Sequence, residues 1–357
     1  MSVQKAMKAV AAEIILVDNA SSDETVAFVQ DKFPQIQIIA NKNNPGFSAA
    51  NNQGAAMARG EYLLFLNPDT IVAEDCFSAC IEQLHNNPGI AALGVKMIDG
   101  SGRFLPESKR GFPSPWNSLT KLSGLSSLFP KSKTFAGYYH GNLDENISSE
   151  VDALSGAFMM VRASVYAKST GFDERFFMYG EDLDLSYRFQ LMGYRNLYFP
   201  GTAIIHFKGE STRRDLRYVK QFYKAMDQFA KKHFNKGWAY PLLLKSGIGL
   251  ISVLASIRKY FTNPVERKKA ELRFGFEGDR DSMKEAKSIV GTNPDDLNSP
   301  LATVFCEGAE FSFREIIQTV LSRPPGQYWF HAKGSESVLS STDKNGRGEI
   351  KSLARGL

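Results

Sequence analysis

Short apolar runs alternate with polar stretches of helical spacing over the first two thirds of the chain. The apolar runs are rich in strand-forming residues, and the stretches between them repeat apolar residues every three or four positions. We predict strands at residues 13–17, 36–40, 62–66, 91–95, 157–161 and 196–199, and helices at residues 21–33, 48–58 and 74–86. This alternation predicts an α/β fold with a mostly parallel sheet covered by helices.

Residues 99–149 break the alternation, since they are rich in Gly, Pro, Ser and Lys and predict long loops over a binding face. Residues 239–257 are apolar apart from Lys245. We favour an amphipathic helix at a membrane surface over a span, which needs about 20 residues, or a buried helix. Weak strand-helix units in residues 264–357 predict a small accessory α/β region. The predicted domains are residues 1–235, 236–263 and 264–357.

Charge is unevenly distributed along the chain. The net charge is +5, but residues 208–273 hold sixteen Lys or Arg against five Asp or Glu, a local excess of eleven positive charges. Such a segment suits an acidic surface, which means phospholipid, a lipid-linked diphosphate or nucleic acid. A chain of 357 residues with 43% hydrophobic and 23% charged residues is not wholly disordered.

The cysteine content indicates a reducing compartment. Cys76, Cys80 and Cys306 cannot build a disulfide framework, and they form no CxxC pair typical of zinc sites. Cys76 and Cys80 lie four residues apart in a helical pattern, so we expect both to pack in the core. The first twelve residues lack the apolar run of a signal peptide. These features predict a cytoplasmic protein.

Acidic residues follow two of the predicted strands. Asp18 ends one apolar run, and Asp69 follows another in the sequence Asn67-Pro68-Asp69. Ligands of open α/β sheets bind beyond the carboxyl ends of the strands, so both carboxylates are candidates for a ligand site. The alternative is that each carboxylate caps the helix that follows, as Asp often does. For either residue alone, the two interpretations have equal weight.

Three further motifs carry polar residues that suit a binding site. NPGFSAANNQG at residues 44–54 puts glycine and amides around a helix start, where backbone donors can meet a nucleotide, although glycine also serves simple turns. GEDLD at residues 180–184 contains three carboxylates in four positions, which is costly unless a cation or a proton transfer uses them. His206 ends an apolar run, where a histidine is more often structural than a ligand.

Taken in chain order, these motifs resemble the family 2 glycosyltransferases of the GT-A fold, especially the bacterial rhamnosyltransferase-like branch. The resemblance covers residues 2–234 and rests on VDNASSDET, NPGFSAANNQG, LNPD, SGAFMMVR and YGEDLDLSYR. It implies a Rossmann-like GT-A sheet and a metal-dependent, inverting hexosyltransferase.

The resemblance also implies roles for individual positions. Asp182 would be the general base, with Glu181 beside it. Gly156 and Ala157 would border the acceptor pocket. Nucleotide-sugar binding is implied for Asp18, Asn19, Ser21, Asp23, Gly46, Asn51, Asn67 and Asp69.

A divalent metal ion is implied as the cofactor. Asp69 and His206 would bind Mg2+ or Mn2+, which bridges the diphosphate of the donor. Asn67 stands where the family's DxD-type element has its first acid, so metal affinity would depend on a single carboxylate and the histidine.

The implied reaction moves a sugar, with rhamnose as the first candidate, from a nucleoside-diphosphate donor to a hydroxyl of a cell-surface polysaccharide or lipid-linked glycan precursor. Asp182 would remove the hydroxyl proton as the oxygen attacks the anomeric carbon from the opposite face, which gives inversion. The expected partners are the donor, the glycan acceptor and an anionic membrane surface, with no nucleic acid. The expected location is the cytoplasm, peripheral to the inner face of the cell membrane.

One feature departs from the family pattern. Family members begin with a further strand and an asparagine-containing turn before the helix that matches residues 2–10, and we expect a misplaced start rather than a genuine variant. Two alternatives stay open. The missing strand and Asn67 suggest a catalytically inactive sugar-nucleotide-binding or scaffold protein. Less favoured is a basic nucleic-acid-binding protein, since no recognised module for that role is present.

Overall fold

The computed structural model describes residues 1–113, 116–117, 120, 124–207, 216–234, 272–291, 300–341 and 348–352. Its helices are α1 (Ser2–Ala6), α2 (Thr25–Lys32), α3 (Phe47–Met57), α4 (Cys76–Asn86), α5 (Leu125–Leu128), α6 (Ala163–Lys168), α7 (Glu181–Leu191), α8 (Leu216–His233), α9 (Arg280–Val290) and α10 (Phe313–Ser322). Its strands are β1 (Ile15–Asp18), β2 (Gln37–Ala40), β3 (Tyr62–Leu66), β4 (Thr70–Val72), β5 (Ile90–Ile98), β6 (Ser149–Val151), β7 (Phe158–Arg162), β8 (Arg195–His206), β9 (Arg273–Gly278), β10 (Leu301–Glu307), β11 (Tyr328–Ala332), β12 (Ser337–Ser340) and β13 (Glu349–Ser352).

The main sheet has the strand order β3-β7-β5-β8-β4, and β6 pairs with β8. Strands β3, β5 and β8 run in one direction, while β7 lies between β3 and β5 and runs against them. Strands β1 and β2 form a separate parallel pair. The main sheet is therefore mixed, with a parallel β5–β8 pair at its centre and helices packed on it, and the predicted α/β class is confirmed.

Strand β8 is longer than the sequence pattern predicts. The pattern indicates residues 196–199, whereas β8 covers Arg195–His206. Pro200 and Gly201 look like strand breakers, but the ladder with β5 only shifts its register there and then resumes. The extension carries His206 to the end of the strand, where it pairs with β4. Strand β4 is not predicted at all, because three residues are too few to show a period.

Helix α3 covers the β1–β2 pair. A Cβ added at Gly54 on this helix would lie 3.3 Å from Val17, so the glycine permits a close approach of helix and strand. Among the described strands, β1 bonds only to β2, and β3 bonds only to β7. The additional strand that the family pattern places before β1 stays a prediction.

The C-terminal residues build a second sheet with the order β13-β12-β11-β10-β9, in which β9, β10 and β11 are parallel. Helix α9 covers one face, where Phe274 and Trp329 pack edge to face. Helix α10 covers the other face and shares a core with the main sheet, in which Ile316 and Ile317 join Ile204. The predicted accessory α/β region is thus present in its β10, α10 and β11 units. Its predicted boundaries stay untested.

Two predictions fall outside the described residues. The amphipathic helix at residues 239–257 lies there entirely, and most of the basic segment at residues 208–273 does too. Within the part of the chain that the structure describes, no helix is both long and apolar enough to cross a membrane. Cys76 and Cys80 are buried in the core as predicted, and both are free thiols.

Candidate active site

Asp182 lies in the first turn of α7, after Gly180, whose left-handed backbone (φ +85°) precedes the helix. Its Oδ2 atom accepts hydrogen bonds from the Arg110 guanidinium at 2.5 Å and the Gly156 amide at 3.0 Å. Its Oδ1 atom accepts from the Leu183 amide at 2.8 Å. A carboxylate oxygen has two lone pairs, so Oδ1 can accept one further donor. Asp182 is therefore a fixed carboxylate with capacity for a substrate hydroxyl.

Glu181 directly precedes Asp182 and is also buried. Its Oε2 atom has no hydrogen-bond partner. Burial, followed by the negative charge of Asp182, raises the pKa of Glu181 to about 8. Its burial beside Asp182 therefore favours the neutral, protonated form of Glu181.

Asp69 and His206 meet because of strand register. Thr70 begins β4 and pairs with His206 at the end of antiparallel β8. The Phe207 amide donates to the Asp69 carbonyl at 2.8 Å, and His206 Nε2 lies 3.3 Å from Asp69 Oδ1. Asn67 Nδ2 lies 3.4 Å from the same histidine nitrogen. The register thus assembles the three residues that the resemblance assigns to the metal and the diphosphate.

The arrangement of Asp69 and His206 fits a divalent ion. Asp69 Oδ1 is buried without a hydrogen-bond partner, which calls for an explanation such as a ligand. The 3.3 Å between Asp69 Oδ1 and His206 Nε2 is near the separation of about 3 Å between adjacent ligands of an octahedral ion. The described residues contain no group of three or more His, Cys, Asp or Glu suited to a metal, so further ligands would come from substrate or water.

The loop before β7 connects the two groups of residues. The Asn67 amide donates to the Ala157 carbonyl at 3.0 Å. One residue earlier, the Gly156 amide bonds to Asp182, and a Cβ on Gly156 would lie 3.3 Å from the Phe47 ring. The residues predicted to act as base, acceptor border and metal ligands therefore form one contiguous cluster.

Gly46 and Asn19 connect the N-terminal loops to this cluster. Gly46 has φ +95°, and a Cβ there would lie 2.6 Å from the Phe177 carbonyl, so a side chain does not fit. The Phe47 amide donates to that carbonyl at 2.8 Å. Asn19 Nδ2 donates to the Gly46 carbonyl at 3.4 Å, and Asn51 Nδ2 donates to the Phe47 carbonyl at 2.8 Å.

Asp18, Ser21 and Asp23 bond mainly within their own loop. Asp18 Oδ2 accepts from the Ser21 amide at 3.0 Å, and its Oδ1 accepts from the Ser21 hydroxyl. Asp23 accepts from the Thr25 amide at 3.0 Å where α2 begins. Asp18 therefore closes its own loop and does not cap α2, and Asp69 is followed by strand β4, so the capping alternative describes neither residue. A role of Asp18 and Asp23 in nucleoside binding stays a prediction.

Arg110 is a site residue that the sequence analysis does not single out. Its backbone exchanges hydrogen bonds with Ala153 at 3.1 and 2.8 Å, and its guanidinium bonds to the Leu154 carbonyl as well as to Asp182. Burial opposes its charge, but the nearby carboxylate outweighs burial, and the pKa of Arg110 is raised. Arg110 lies in the aperiodic residues 99–149, so no spacing signal pairs it with Asp182.

The third carboxylate of the GEDLD motif has different partners. Asp184 is fully buried and lies 2.8 Å from Arg188, 2.6 Å from Lys232 and 2.7 Å from His233 Nε2. Burial alone would raise the pKa of Asp184, but these cationic and hydrogen-bonding partners lower it. Asp184 therefore ties α7 to α8. Its four-residue spacing from Arg188 is a helical ion-pair signal that the sequence does contain.

The family follows from comparison with known proteins. A model described as glycosyl transferase family 2 matches residues 2–147. Residues 2–147 are a glycosyl transferase family 2 domain. The predicted family is thereby confirmed, and the match together with the layered α/β architecture also confirms the GT-A fold class.

The relatives of this glycosyltransferase include two rhamnosyltransferases. The N-acetylglucosaminyl-diphospho-decaprenol L-rhamnosyltransferase of Mycobacterium tuberculosis is 28% identical over 263 residues, 69% of this chain and 85% of that protein. Rhamnosyltransferase WbbL of Escherichia coli is 28% identical over 177 residues, 47% of this chain and 63% of that protein. They confirm the rhamnosyltransferase-like resemblance. The structure of mannosyltransferase PcManGT from Pyrobaculum calidifontis with GDP-Man and Mn2+ has 15% identity and a TM-score of 0.42 over 68% of this chain and 66% of that chain.

Proposed function

We propose that the enzyme transfers a sugar from a nucleoside-diphosphate donor to an acceptor hydroxyl with inversion at the anomeric carbon. The observation that carries this proposal is the contiguous cluster, in which hydrogen bonds link the Asp182 carboxylate, the loop at Gly156 and Ala157, and Asn67 beside Asp69. A single-displacement transfer needs a base on the acceptor side and positive charge on the leaving-group side. The cluster offers residues for both.

Asp69 and His206 would hold the divalent ion, Mg2+ or Mn2+. The unpartnered buried Oδ1 of Asp69 and its distance of 3.3 Å from His206 Nε2 support this assignment. When bound, the ion would supply Lewis-acid stabilisation of the diphosphate leaving group. Asn67 contributes an amide instead of a carboxylate, so the protein offers one formal negative charge here. We therefore expect metal binding to be weak until a diphosphate is present.

Asp182 would act as the base through its free Oδ1 lone pair. Arg110 and the Gly156 amide hold the carboxylate in one orientation. Glu181, protonated beside it, adds no second negative charge that would repel the diphosphate. The proton taken from the acceptor hydroxyl would rest on Asp182 until product release.

The donor pocket would lie between the β1 loop and the start of α3. Asn19 Nδ2 donates to the Gly46 carbonyl between these two segments. Phe47 follows Gly46 in the chain, and its ring lies beside Gly156 of the cluster. We assign nucleotide-sugar contacts to Asp18, Asn19, Ser21, Asp23, Gly46, Asn51, Asn67 and Asp69.

The acceptor class follows from the relative of Mycobacterium tuberculosis, whose name states an N-acetylglucosaminyl-diphospho-decaprenol acceptor and rhamnose transfer. We propose a rhamnose nucleotide as donor and a lipid-linked glycan precursor as acceptor for this enzyme. The basic segment at residues 208–273 suits such an acceptor and an anionic membrane surface, which would make the enzyme peripheral at the inner face of the membrane.

A donor screen tests the proposed function. The full chain is incubated with a panel of nucleoside-diphosphate sugars and a diphosphate-linked acceptor, with Mn2+ or with a chelator, and nucleoside diphosphate release is measured. We expect release with one donor that depends on both metal and acceptor. Tight donor binding without transfer or hydrolysis would instead support the inactive, sugar-nucleotide-binding alternative.

A further inference from the structure

Within residues 111–143, named the aromatic loop here, the described residues include large apolar side chains that are exposed to solvent. Trp116 is 47% exposed, Leu128 73% and Phe129 52%. The same residues contain three lysines and no Asp or Glu, and Lys131 and Lys133 are exposed. Exposed apolar groups that cluster beside one sign of charge mark an interaction surface. The positive charge of these lysines favours a partner that carries acidic groups.

The aromatic loop has internal structure that presents these side chains together. Trp116 donates its indole N–H to the Thr134 carbonyl at 2.8 Å. The Phe135 ring lies 6.2 Å from the Trp116 ring and 5.5 Å from the Phe129 ring, centroid to centroid. The three rings therefore belong to one packed group whose outer members face solvent.

The base of the aromatic loop is fixed to the catalytic cluster. Arg110 precedes the loop and bonds to Asp182. Phe112 packs against Tyr187 of α7 at 4.9 Å and against Phe229 of α8 at 6.0 Å between ring centroids. The exposed apolar group thus lies on a segment that begins beside the proposed base. That segment also contacts α8, which is part of the basic segment at residues 208–273.

We propose that the aromatic loop docks the enzyme on an anionic phospholipid bilayer, so that a lipid-linked acceptor reaches Asp182 from the membrane side. Trp116, Leu128 and Phe129 would enter the headgroup and upper acyl region, and Lys131 and Lys133 would contact anionic headgroups. The docking surface itself needs only the described side chains. The link to the acceptor rests on the proposed function.

Tryptophan quenching tests contact with the bilayer directly. The chain has three tryptophans, of which Trp329 is 2% exposed. In the full-length Trp238→Phe variant, emission that vesicles can quench therefore reports Trp116. We expect vesicles of brominated phosphatidylcholine and phosphatidylglycerol to quench it, and added salt to weaken the effect. Absence of quenching, or equal quenching by vesicles without the anionic lipid, would overturn the proposal.

A pair of matched variants separates the aromatic loop from other apolar surface. Leu128→Ser/Phe129→Ser removes two loop side chains, while Phe28→Ser/Ile350→Ser removes two of comparable exposure elsewhere, at 50% and 67%. We expect vesicle partitioning to fall about tenfold or more for the loop variant and less than about twofold for the control. Equal losses would overturn the proposal. So would gel filtration showing that the wild type self-associates through the loop and the loop variant does not.

Activity separates failure of this inference from failure of the proposed function. The Leu128→Ser/Phe129→Ser variant should transfer sugar at the wild-type rate to a water-soluble, short-chain diphosphate acceptor. Its transfer to the long-chain, lipid-linked form of that acceptor in vesicles should fall at least about tenfold. An equal loss on both acceptors would contradict docking. If the wild type transfers sugar to neither, the proposed function fails, while the quenching result still decides whether the loop contacts lipid.

Discussion

Two adjacent carboxyl groups at the start of α7 have opposite environments. Asp182 is paired with Arg110 and the Gly156 amide, whereas Glu181 is buried with an unpartnered oxygen. Burial and the neighbouring charge keep Glu181 protonated up to a pKa of about 8. Environments that separate two neighbouring acids in this way are typical of acid-base sites. This difference supports the proposal that Asp182, and not Glu181, is the base.

Glu181→Gln tests the environment of Glu181. Between the unfolded value of 4.5 and about 8, the unfolded state releases the Glu181 proton while the native state keeps it, so the free energy of unfolding falls as pH rises through that window. At about pH 9 the glutamine variant should therefore have a free energy of unfolding higher than that of the wild type by of the order of 1 kcal/mol or more. Near pH 4 the two proteins should match. Thermal unfolding across pH measures this. A constant offset at every pH would contradict the account.

Arg110 is expected to position Asp182, because its guanidinium donates to Asp182 Oδ2 at 2.5 Å. Arg110→Met should lower transfer by about 100-fold, because the carboxylate loses the donor that orients it. Arg110→Lys retains a cationic donor and should lose rate only in part. Steady-state kcat and KM of both variants are the measurement, and the loss should appear in kcat. A wild-type kcat for Arg110→Met would contradict this positioning role.

The sequence motifs name most of the residues in this cluster, and some of them, such as Asp69 and Glu181, follow a strand or begin a helix. Their mutual contacts could not be predicted. The meeting of Asp69 with His206 depends on the β4–β8 register, and β4 is too short to show a pattern. The Arg110–Asp182 pair joins residues 72 positions apart, one of which lies in an aperiodic loop.

At the scale of elements, a buried charge network fixes α8 to the helix that carries Asp182. Asp184 bonds to Arg188 within α7 and to Lys232 and His233 at the end of α8. Lys232 also reaches Asp173 at 2.7 Å. The network therefore attaches α7, which carries Asp182, to α8, which is part of the basic segment.

Asp184→Asn should cost about 3–5 kcal/mol, because it leaves buried cations without their anion. The pKa of Asp184 is lowered in the fold, so its contribution is present above the unfolded value and is lost as pH falls. The difference between variant and wild type should therefore narrow in acid. Urea unfolding measures it, with Asp281→Asn as the control, since that side chain is 66% exposed and pairs with Lys284 on the surface. Equal effects of both substitutions would contradict this view of the network.

Strands and helices with a clear period were predictable, and those that depend on long-range pairing were not. Strand β3 and helices α3 and α4 match their predicted ranges closely. Strand β8 continues past Pro200 and Gly201 because β5 and β4 pair with it there, which no local pattern encodes. Strands β12 and β13 also escaped the sequence analysis, because they contain two and one apolar residues and so form no apolar run.

At the scale of the whole molecule, the C-terminal sheet is joined to the family 2 domain through one core. Ile317 and Phe330 pack in the same apolar cluster as Ile71 and Ile205 of the main sheet. The Glu74 carboxylate also accepts from two backbone amides at the start of α10, at 3.0 and 2.9 Å. We therefore expect both sheets to unfold together.

Ile317→Ala should destabilise the entire described fold by about 2–5 kcal/mol, since it opens a cavity in the shared core. Urea unfolding is followed by far-UV circular dichroism and by Trp329 fluorescence in a Trp116→Phe/Trp238→Phe background. Both probes should show one coincident transition that the substitution moves to lower urea. Separate transitions would show that the C-terminal sheet is an independent unit.

The proposed function requires that a metal-bound donor and the Asp182 base act within the one cluster that hydrogen bonds join. Isothermal titration of nucleoside diphosphate with Mn2+, paired with a transfer assay on the same samples, tests it for wild type, Asp182→Asn and Asp69→Asn. The account predicts that Asp182→Asn binds like the wild type and loses transfer by about 1,000-fold or more, while Asp69→Asn loses Mn2+-dependent binding. Wild-type transfer by Asp182→Asn, or unchanged binding by Asp69→Asn, would contradict it.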